Sequence, residues 1–173
     1  MYVPTGNSPI GKKIIASAID RIAMLKNATK YYDCLAVDDF ECRSDNISYT
    51  IDTINYFMNT YPDANLRLLI GEDNFNSFPK WRRYKEILNM TNIIILSRDN
   101  TNNYDNIKYI SNFIEENICL FNDMKSERIH LSVNHKSNLS STMIRSMINK
   151  NQSIDEYVSN ENTRYIKEKG LYK

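Results

Sequence analysis

The sequence predicts an α/β fold with a mostly parallel sheet and flanking helices. Short apolar runs alternate along the chain with longer segments in which apolar residues recur at helical spacing. One run, residues 66–70, is apolar apart from Arg67 and ends at Gly71, as expected for a buried parallel strand that opens into a loop. With 173 residues, no internal repeat and no linker, the chain fits a single domain over residues 1–173.

The first half of the chain predicts two helices and two strands. Ser17 suits the amino-terminal cap of a helix that runs to about residue 29. Residues 35–40 favour a short strand, and residues 49–61 carry apolar side chains at helical spacing. That second helix leads into the strand that ends at Gly71.

The second half continues the alternation of strand and helix. Apolar runs predict strands at residues 93–96 and 129–133. Helical spacing predicts helices at residues 81–90, 107–118, 141–149 and 160–169, the last of them ended by Gly170. Because helices separate the strands, we expect the strands to pair in parallel.

Composition argues against several classes of protein. A net charge of +1 gives no broad attraction to nucleic acid or acidic lipid, so we expect a small-molecule partner bound at a local site. The three cysteines lack the paired spacing of a zinc site or a disulfide framework. No apolar run approaches the roughly 18 residues that span a membrane, so we expect a soluble, cytoplasmic protein. Assembly into a homo-oligomer stays open.

The loops that directly follow predicted strands are the first candidates for a binding site. Ligands of open parallel sheets bind beyond the carboxyl ends of the strands. Gly71 lets the backbone approach a ligand, and Asp73 supplies an acceptor for ribose hydroxyls. The alternative is that these residues form an ordinary turn with a helix cap. Their position after a strand, taken alone, favours this alternative.

A second candidate site lies at the start of the helix predicted at residues 141–149. Ser140, Ser141 and Thr142 place hydroxyls and free backbone amides there. Arg145 adds a guanidinium one turn later, and the whole arrangement suits phosphate oxygens. A helix cap beside a solvated arginine explains the same residues equally well.

Two further helix starts carry groups that suit an aromatic acid. Tyr49 and Thr50 open one helix, while Lys80 and Trp81 open another. Lys80 supplies a cation, and Trp81 is the only indole of the chain, against which an aromatic ring can stack. The alternative role of Trp81 is that of a buried core anchor.

Four sequence blocks resemble bacterial nicotinate-mononucleotide adenylyltransferases. They are SYTIDTI at 48–54, LLIGEDNFNSFPKW at 68–81, LSSTMIRSMI at 139–148 and YIKEKGLY at 165–172. The resemblance implies a Rossmann-like nucleotidylyltransferase fold. It also implies transfer of the adenylyl group of ATP to nicotinate mononucleotide, with Mg²⁺, giving deamido-NAD and pyrophosphate in the synthesis of NAD.

The resemblance assigns the candidate residues to the two substrates. Nicotinate mononucleotide would be bound by Tyr49, Thr50, Lys80 and Trp81. Among these, Thr50 and the backbone after Pro79 would hold the carboxylate, and Trp81 would stack on the pyridine ring. ATP would be bound by Gly71 and Asp73 at ribose, by Arg98 on the adenine side, and by Ser140, Ser141, Thr142 and Arg145 at the phosphates.

One part of the family pattern is absent. The family begins with a strand that leads into a Gly-rich GGTFDPxHxGH segment, whereas residues 1–4 align with the end of the family's second strand. We therefore expect the first strand and first helix of the fold to be missing, and we assign no catalytic residue. A shortened adenylyltransferase is the favoured hypothesis. The alternatives are a remnant that binds a nucleotide or a partner protein without catalysis, and an enzyme with another acceptor such as nicotinamide mononucleotide.

Overall fold

A computed structural model describes residues 1–7, 9, 14–96, 129–132 and 139–173 of the chain. Its helices are α1 (Ala18–Thr29), α2 (Thr50–Thr60), α3 (Glu72–Asn76), α4 (Tyr84–Met90), α5 (Ser141–Asn149) and α6 (Asn160–Lys169). Its strands are β1 (Arg67–Gly71), β2 (Asn92–Leu96) and β3 (Ile129–Ser132). No helix within the described part is long and apolar enough to cross a membrane.

The chain divides into two compact units. Met1–Tyr49 together with Leu139–Lys173 make up the first, called here the helical unit. Thr50–Asn138 is the second, called the sheet unit. The expectation of one domain over the whole chain stays a prediction.

The helices of the helical unit begin and end where short-range sequence signals predict. The Ser17 hydroxyl caps α1 by accepting a hydrogen bond from the Asp20 amide at 3.1 Å. The Ser159 hydroxyl caps α6 in the same way. Gly170 ends α6 in the left-handed conformation at φ 60°, where a side chain would be strained. The predicted helices at 141–149 and 160–169 are confirmed to the residue.

Polar contacts join α1 to α6. The Tyr165 hydroxyl donates to a carboxylate oxygen of Asp20 at 2.9 Å. The side-chain amide of Asn162 donates to the Met24 carbonyl at 3.0 Å. Because the helices meet through these directional bonds, their relative register is fixed by hydrogen bonding as well as by apolar contact.

The strand predicted at residues 35–40 is wrong for most of its length. Val37 forms only an isolated parallel bridge with Tyr2. At Phe40 the chain enters a short 3₁₀ turn, Phe40–Cys42. The physical reason is a local side-chain bond: the Asp38 carboxylate accepts from the Phe40 amide at 2.8 Å, which bends the backbone and ends strand pairing.

The sheet unit holds a parallel sheet in the order β1-β2-β3. Gly71 pairs with Leu96, and Leu96 pairs with Ser132, so the carboxyl ends of the three strands lie at one edge. The predicted strands at 66–70, 93–96 and 129–133 are confirmed within the described residues. The side chains that are less than 2% exposed are Ile51, Phe75, Phe78, Ile87, Leu88, Ile93 and Ile95.

The helix predicted at residues 81–90 begins three residues late. Arg83 adopts φ 56°, a left-handed conformation that no α-helix continues through, so α4 starts only at Tyr84. The Arg83 guanidinium binds the Glu86 carboxylate and stabilises this start. The helix predicted at 107–118 lies outside the described residues.

Candidate functional site

The start of α5 carries polar groups that face away from the helix. Ser140 has an extended backbone, and its hydroxyl accepts from the Met143 amide at 3.1 Å. The amides of the first helical turn have no acceptor inside a helix, and the helix dipole adds partial positive charge there. Ser141 and Thr142 are exposed at this end. The helix start is therefore equipped to receive an anion.

Arg145 extends this anion-binding end. One of its terminal nitrogens donates to the Thr142 hydroxyl at 3.1 Å, which draws the guanidinium back toward the first turn. A cation and free amides thus lie on one side of the same helix. Helix capping and anion binding are compatible here, because the cap uses the Ser140 hydroxyl and leaves the amides of Ser141 and Thr142 without an intrahelical acceptor.

A cavity of about 580 Å³ opens beside the start of α5. All of its walls belong to the helical unit. The polar lining residues are Arg21, Ser140, Ser141, Arg145, Tyr157, Asn162 and Tyr172. The apolar lining residues include Met24, Leu25, Leu139, Ile144, Val158 and Ile166. The cavity combines a polar lining that includes two guanidinium groups with apolar walls, a composition typical of small-molecule sites.

Arg21 is a cavity residue that the sequence interpretation missed. It lies in α1 with Met24 and Leu25 three and four residues later, so it shares their face of the helix. One terminal nitrogen donates to the Thr5 carbonyl at 2.5 Å. The sequence did contain a signal for Arg21, which is a cation on the apolar face of an amphipathic helix. Such a position is unfavourable unless the charge has a partner or a function.

Two polar atoms of the cavity residues lack partners among the described residues. They are the Nε of Arg21 and the Oδ1 of Asn162. Asn162 is only 9% exposed, so this oxygen is withheld from bulk water. An unpaired buried polar group costs about 1–3 kcal/mol.

The sheet unit places Gly71 at the carboxyl end of β1. A Cβ added to Gly71 would meet no atom of the described residues within 4 Å, so they leave the space in front of this residue open. Asp73 follows within the short helix α3. The expected loop after β1 is thus a helix start, and it stands where ligands of parallel sheets bind. Arg98 lies outside the described residues.

Trp81 is half-buried in the sheet unit. Its ring centroid lies 5.2 Å from that of the fully buried Phe78, and its indole nitrogen donates to the Ser77 hydroxyl at 3.3 Å. These contacts fix the indole while part of the ring stays accessible. Trp81 is therefore anchored on one side of its ring, and its stacking on a ligand stays a prediction.

α2 packs against α4, the helix that follows the turn carrying Trp81. The pKa of Arg83 is raised, first by its hydrogen bonds with Glu86 and also by the charge of Asp52. Asp52 is in the first turn of α2, two residues after Thr50. Thr50 and Trp81 thus belong to neighbouring segments of one unit, whereas Tyr49 is the last residue of the helical unit's first segment.

The backbone amides after Pro79 already have acceptors. The Lys80 amide donates to the Ser77 carbonyl, and the Trp81 amide donates to the Phe78 carbonyl, both at 2.9 Å. An incoming carboxylate would have to share these donors. The Lys80 side chain is exposed, so its ammonium group is the more available donor.

The described residues contain no group of three or more histidine, cysteine, aspartate or glutamate side chains that could hold a metal ion. The cavity lining supplies cations instead of acidic ligands. Such a lining suits a metal ion that arrives already bound to a polyphosphate, and it does not suit a resident metal.

A parallel sheet and a helix start equipped for phosphate are both features of nucleotide-binding α/β proteins. The chain belongs to the cytidylyltransferase-like family, whose model matches residues 1–147. Within that family its relatives are bacterial nicotinate-nucleotide adenylyltransferases. A protein of Caldicellulosiruptor bescii described as a probable nicotinate-nucleotide adenylyltransferase is 32% identical over 173 residues, which cover 100% of this chain and 83% of that protein.

Two further comparisons agree. A protein of Aquifex aeolicus with the same description is 39% identical over 99 residues, which cover 57% of this chain and 59% of the relative. A solved structure of the nicotinic acid mononucleotide adenylyltransferase of Plasmodium falciparum, complexed with APC, superposes with a TM-score of 0.62. That match covers 89% of this chain and 75% of the other at 16% identity, so it supports the fold alone.

Proposed function

We propose that this chain transfers the adenylyl group of ATP to nicotinate mononucleotide, giving deamido-NAD and pyrophosphate. The observation that carries the proposal is the start of α5, where free amides and Arg145 open on a cavity that also contains Arg21. Two guanidinium groups and a helix amino terminus suit the triphosphate of ATP. The relatives named above support the choice of acceptor.

The ATP side of the site has two parts in this proposal. The triphosphate is bound at the start of α5 by Ser140, Ser141, Thr142 and Arg145. The ribose is bound after β1, where the open space in front of Gly71 lets a sugar approach the backbone and Asp73 follows. Mg²⁺ enters as part of the substrate MgATP, which agrees with the cationic lining of the cavity.

Three of the four residues assigned to the acceptor in this proposal, Thr50, Lys80 and Trp81, belong to the sheet unit. Trp81 stacks on the pyridine ring, held in place by Phe78 and Ser77. The Thr50 hydroxyl and the Lys80 ammonium bind the carboxylate, which explains a preference for the acid over the amide. Tyr49 flanks Thr50 in the chain and completes the assigned set.

The chemistry needs no nucleophilic side chain. A phosphate oxygen of nicotinate mononucleotide attacks the α-phosphorus of ATP, the bond from that phosphorus to the bridging oxygen breaks, and pyrophosphate leaves with the electron pair. The protein accelerates such a step by holding the two phosphates in line and by stabilising charge on the leaving group. Arg145 and the amides of α5 are the groups placed for the second task.

The direct test combines the full chain with MgATP and nicotinate mononucleotide. Stoichiometric formation of deamido-NAD and pyrophosphate supports the proposal. ATP binding without pyrophosphate release overturns it in favour of a binding protein. Faster turnover with nicotinamide mononucleotide or phosphopantetheine overturns the choice of acceptor.

Replacement of Arg145 tests the ATP side. A hydrogen bond to a charged group contributes about 1.5–3 kcal/mol, so Arg145→Ala should raise the KM for ATP by roughly 10- to 100-fold. Arg164→Ala is the matched control, because Arg164 is an exposed arginine of α6 outside the cavity lining. Unchanged ATP kinetics in Arg145→Ala would reject the assignment.

Replacement of Trp81 tests the acceptor side. Trp81→Ala should raise the KM for nicotinate mononucleotide by about 5- to 100-fold, the range of base stacking on an aromatic ring, and should change the KM for ATP less. Trp81→Phe keeps an aromatic face and should recover most of the loss. Equal effects on both substrates would contradict a stacking role.

A further inference from the structure

The hydroxyl of Ser77 lies between a backbone carbonyl and the indole of Trp81. It donates to the Asn74 carbonyl at 2.9 Å, and the indole nitrogen donates to the hydroxyl oxygen at 3.3 Å. A serine hydroxyl has one proton, so the bond to Asn74 uses that proton and leaves the oxygen lone pairs for the indole N–H. The two bonds are therefore compatible, and together they connect Trp81 to the backbone of α3.

The carbonyl that receives the Ser77 proton belongs to a helix supported by the sheet. α3 begins directly after β1, with Gly71 as its amino-terminal cap, and it packs against β1 and β2. Phe75 of the same helix is 1% exposed, and its ring stacks on that of Phe78 with the centroids 6.0 Å apart. The Ser77 amide also donates to the Asn74 carbonyl, at 3.2 Å. Ser77 is thus held by α3 through its backbone as well as its side chain.

Ring packing and hydrogen bonding restrict the indole in different ways. The Phe78 ring lies 5.2 Å from the Trp81 ring, with the two planes tilted by 53°. Apolar contact of this kind is not directional, so it holds the indole in place without selecting the edge that carries the nitrogen. Rotation about the bond to an aromatic ring is broad and roughly two-fold, which leaves two orientations about half a turn apart. The hydrogen bond is directional and involves only the nitrogen, so it distinguishes between them.

We propose that Ser77 is a positioning residue for Trp81: its hydroxyl, aligned by the Asn74 carbonyl, selects the ring orientation in which Trp81 stacks on the acceptor. This role rests on the proposed function, which assigns the stacking to Trp81. Packing on Phe78 keeps the indole in place, and the Ser77 hydroxyl fixes its rotation. A chain without that hydroxyl binds the acceptor less tightly, because part of its population holds the indole in the other orientation.

The kinetic test compares Ser77→Ala with Ser77→Thr in the full chain. Loss of a neutral hydrogen bond should raise the KM for nicotinate mononucleotide about 3- to 10-fold in Ser77→Ala, with a smaller change in the KM for ATP. Ser77→Thr keeps a hydroxyl and should recover most of the loss. Thr60→Ala is the matched control, because the Thr60 hydroxyl also donates to a backbone carbonyl of the sheet unit, that of Tyr56, at 2.8 Å. Unchanged kinetics in Ser77→Ala overturn the proposal.

A double substitution separates an effect through the indole from general support of the turn. Trp81→Phe has no ring N–H, so Ser77→Ala in that background should change the KM for nicotinate mononucleotide by less than about 2-fold. If Ser77 only supported the turn of residues 77–81, its loss would cost as much in Trp81→Phe as in the wild type. Equal costs in the two backgrounds therefore contradict a role through the indole.

Nuclear magnetic resonance tests the hydrogen bond without any turnover. Trp81 is the only tryptophan, so protein labelled with heavy nitrogen gives a single indole N–H signal. The proton of this group should move upfield in Ser77→Ala, because its acceptor is removed, and should stay close to its wild-type position in Ser77→Thr and Thr60→Ala. An unmoved signal in Ser77→Ala rules out the positioning role whether or not the chain transfers adenylyl groups.

Fluorescence separates failure of this role from failure of the proposed function. Stacking of the pyridine ring should quench the emission of Trp81, and the apparent Kd for nicotinate mononucleotide should be about 3- to 10-fold higher in Ser77→Ala. Such weakening in a chain that releases no pyrophosphate keeps the positioning role and rejects the proposed function alone. If nicotinate mononucleotide does not quench the wild type, Trp81 does not stack on it, and the proposal fails together with the assigned acceptor site.

Discussion

The helical unit and the sheet unit are stabilised in different ways. Among the described residues, the largest side chains less than 2% exposed all belong to the sheet unit, from Ile51 in α2 to Ile95 in β2. The helical unit buries fewer apolar side chains, Ala16, Ile154 and Ile166, and beside them the polar side chains of Thr29, Asn162 and Thr163. It also contains the cavity of about 580 Å³. Apolar packing dominates one unit, and polar contacts around a cavity dominate the other.

This difference predicts which substitutions each unit tolerates least. A dry, close-packed core loses stability with each methylene removed, because cavities in it are not refilled. A unit that already contains a cavity and unpaired polar atoms has less packing to lose, but its hydrogen bonds and charges determine its geometry. Substitutions of buried apolar side chains in the sheet unit should therefore act on folding first, and substitutions of polar side chains that line the cavity of the helical unit should act on binding first.

The largest expected effect comes from Phe78 in the sheet unit. Phe78 is fully buried, and its ring meets those of Phe75, Trp81 and Tyr84 with centroids 5.2–6.1 Å away. Phe78→Ala should lower the free energy of unfolding by about 3–5 kcal/mol. Urea denaturation followed by the fluorescence of Trp81, the only tryptophan, measures this change next to the site of substitution.

Tyr61→Ala is the control for Phe78→Ala. Tyr61 is an aromatic residue of the same unit that is 47% exposed, so its loss should cost less than about 1 kcal/mol, although its ring stacks on that of Phe57. Similar losses from both substitutions would show that the sheet unit is not held by its buried aromatic cluster, and the contrast between the units would fail.

Sequence patterns predicted this fold well wherever a short-range signal decided the structure. The capping serines before α1 and α5 and the glycine after α6 fixed helix ends to within a residue. The strand predicted at 35–40 failed because the bond between the Asp38 side chain and the Phe40 amide outweighs β-propensity. The prediction of where α4 begins failed because nothing in a single sequence signals the left-handed conformation of Arg83.

The candidate site was predictable in part for the same reason. The α5 residues are consecutive or one turn apart, so their convergence follows from helical geometry alone. Arg21 and Tyr172 reach the same cavity from segments 124 and 27 residues away from Arg145, through the packing of α1 and α6. Spacing in the sequence contains no information about such distant neighbours.

Two glycine substitutions, one in each unit, compare the units again and have the next largest expected effect on stability. A Cβ on Gly6 in the helical unit would overlap the Glu41 carbonyl oxygen and lie 2.6 Å from the Ser48 hydroxyl. Gly6→Ala should therefore destabilise the helical unit by about 1–3 kcal/mol. Hydrogen exchange followed by mass spectrometry should show faster exchange in the peptides of that unit.

Gly71→Ala is the matched substitution in the sheet unit. Its Cβ would meet no atom in the part of the chain that the structure describes, and φ is −75°, so stability should change by less than about 0.5 kcal/mol. A methyl group in the open space should nevertheless raise the KM for ATP if ribose approaches there. Unchanged KM values would remove Gly71 from the ATP site, and equal destabilisation by the two substitutions would contradict the difference in the space around the two glycines.

The smallest expected effect is a pH dependence of the helical unit. Glu161 accepts a hydrogen bond from Tyr31 at 2.8 Å and pairs with the Lys30 ammonium at 3.0 Å. These contacts, with Lys30 first, lower the pKa of Glu161 from 4.5 to about 2. Because the folded-state pKa lies below the unfolded one, the stabilisation is complete above pH 4.5 and is lost as the pH falls toward 2.

Glu161→Gln tests this pH dependence against the wild type. The two proteins should differ most in thermal midpoint above pH 5, by only a small amount because the ion pair is exposed, and the difference should close between pH 4.5 and 2. Glu156→Gln is the control, an exposed glutamate of the same unit, and its difference from wild type should show no change over that interval. If the difference in thermal midpoint between Glu161→Gln and wild type stays constant from pH 4.5 to 2, the contact between α1 and α6 does not depend on the charge of Glu161. Polar stabilisation of this unit would then come from the hydrogen bond of the Asn162 amide and from the hydrogen bond between Tyr165 and Asp20.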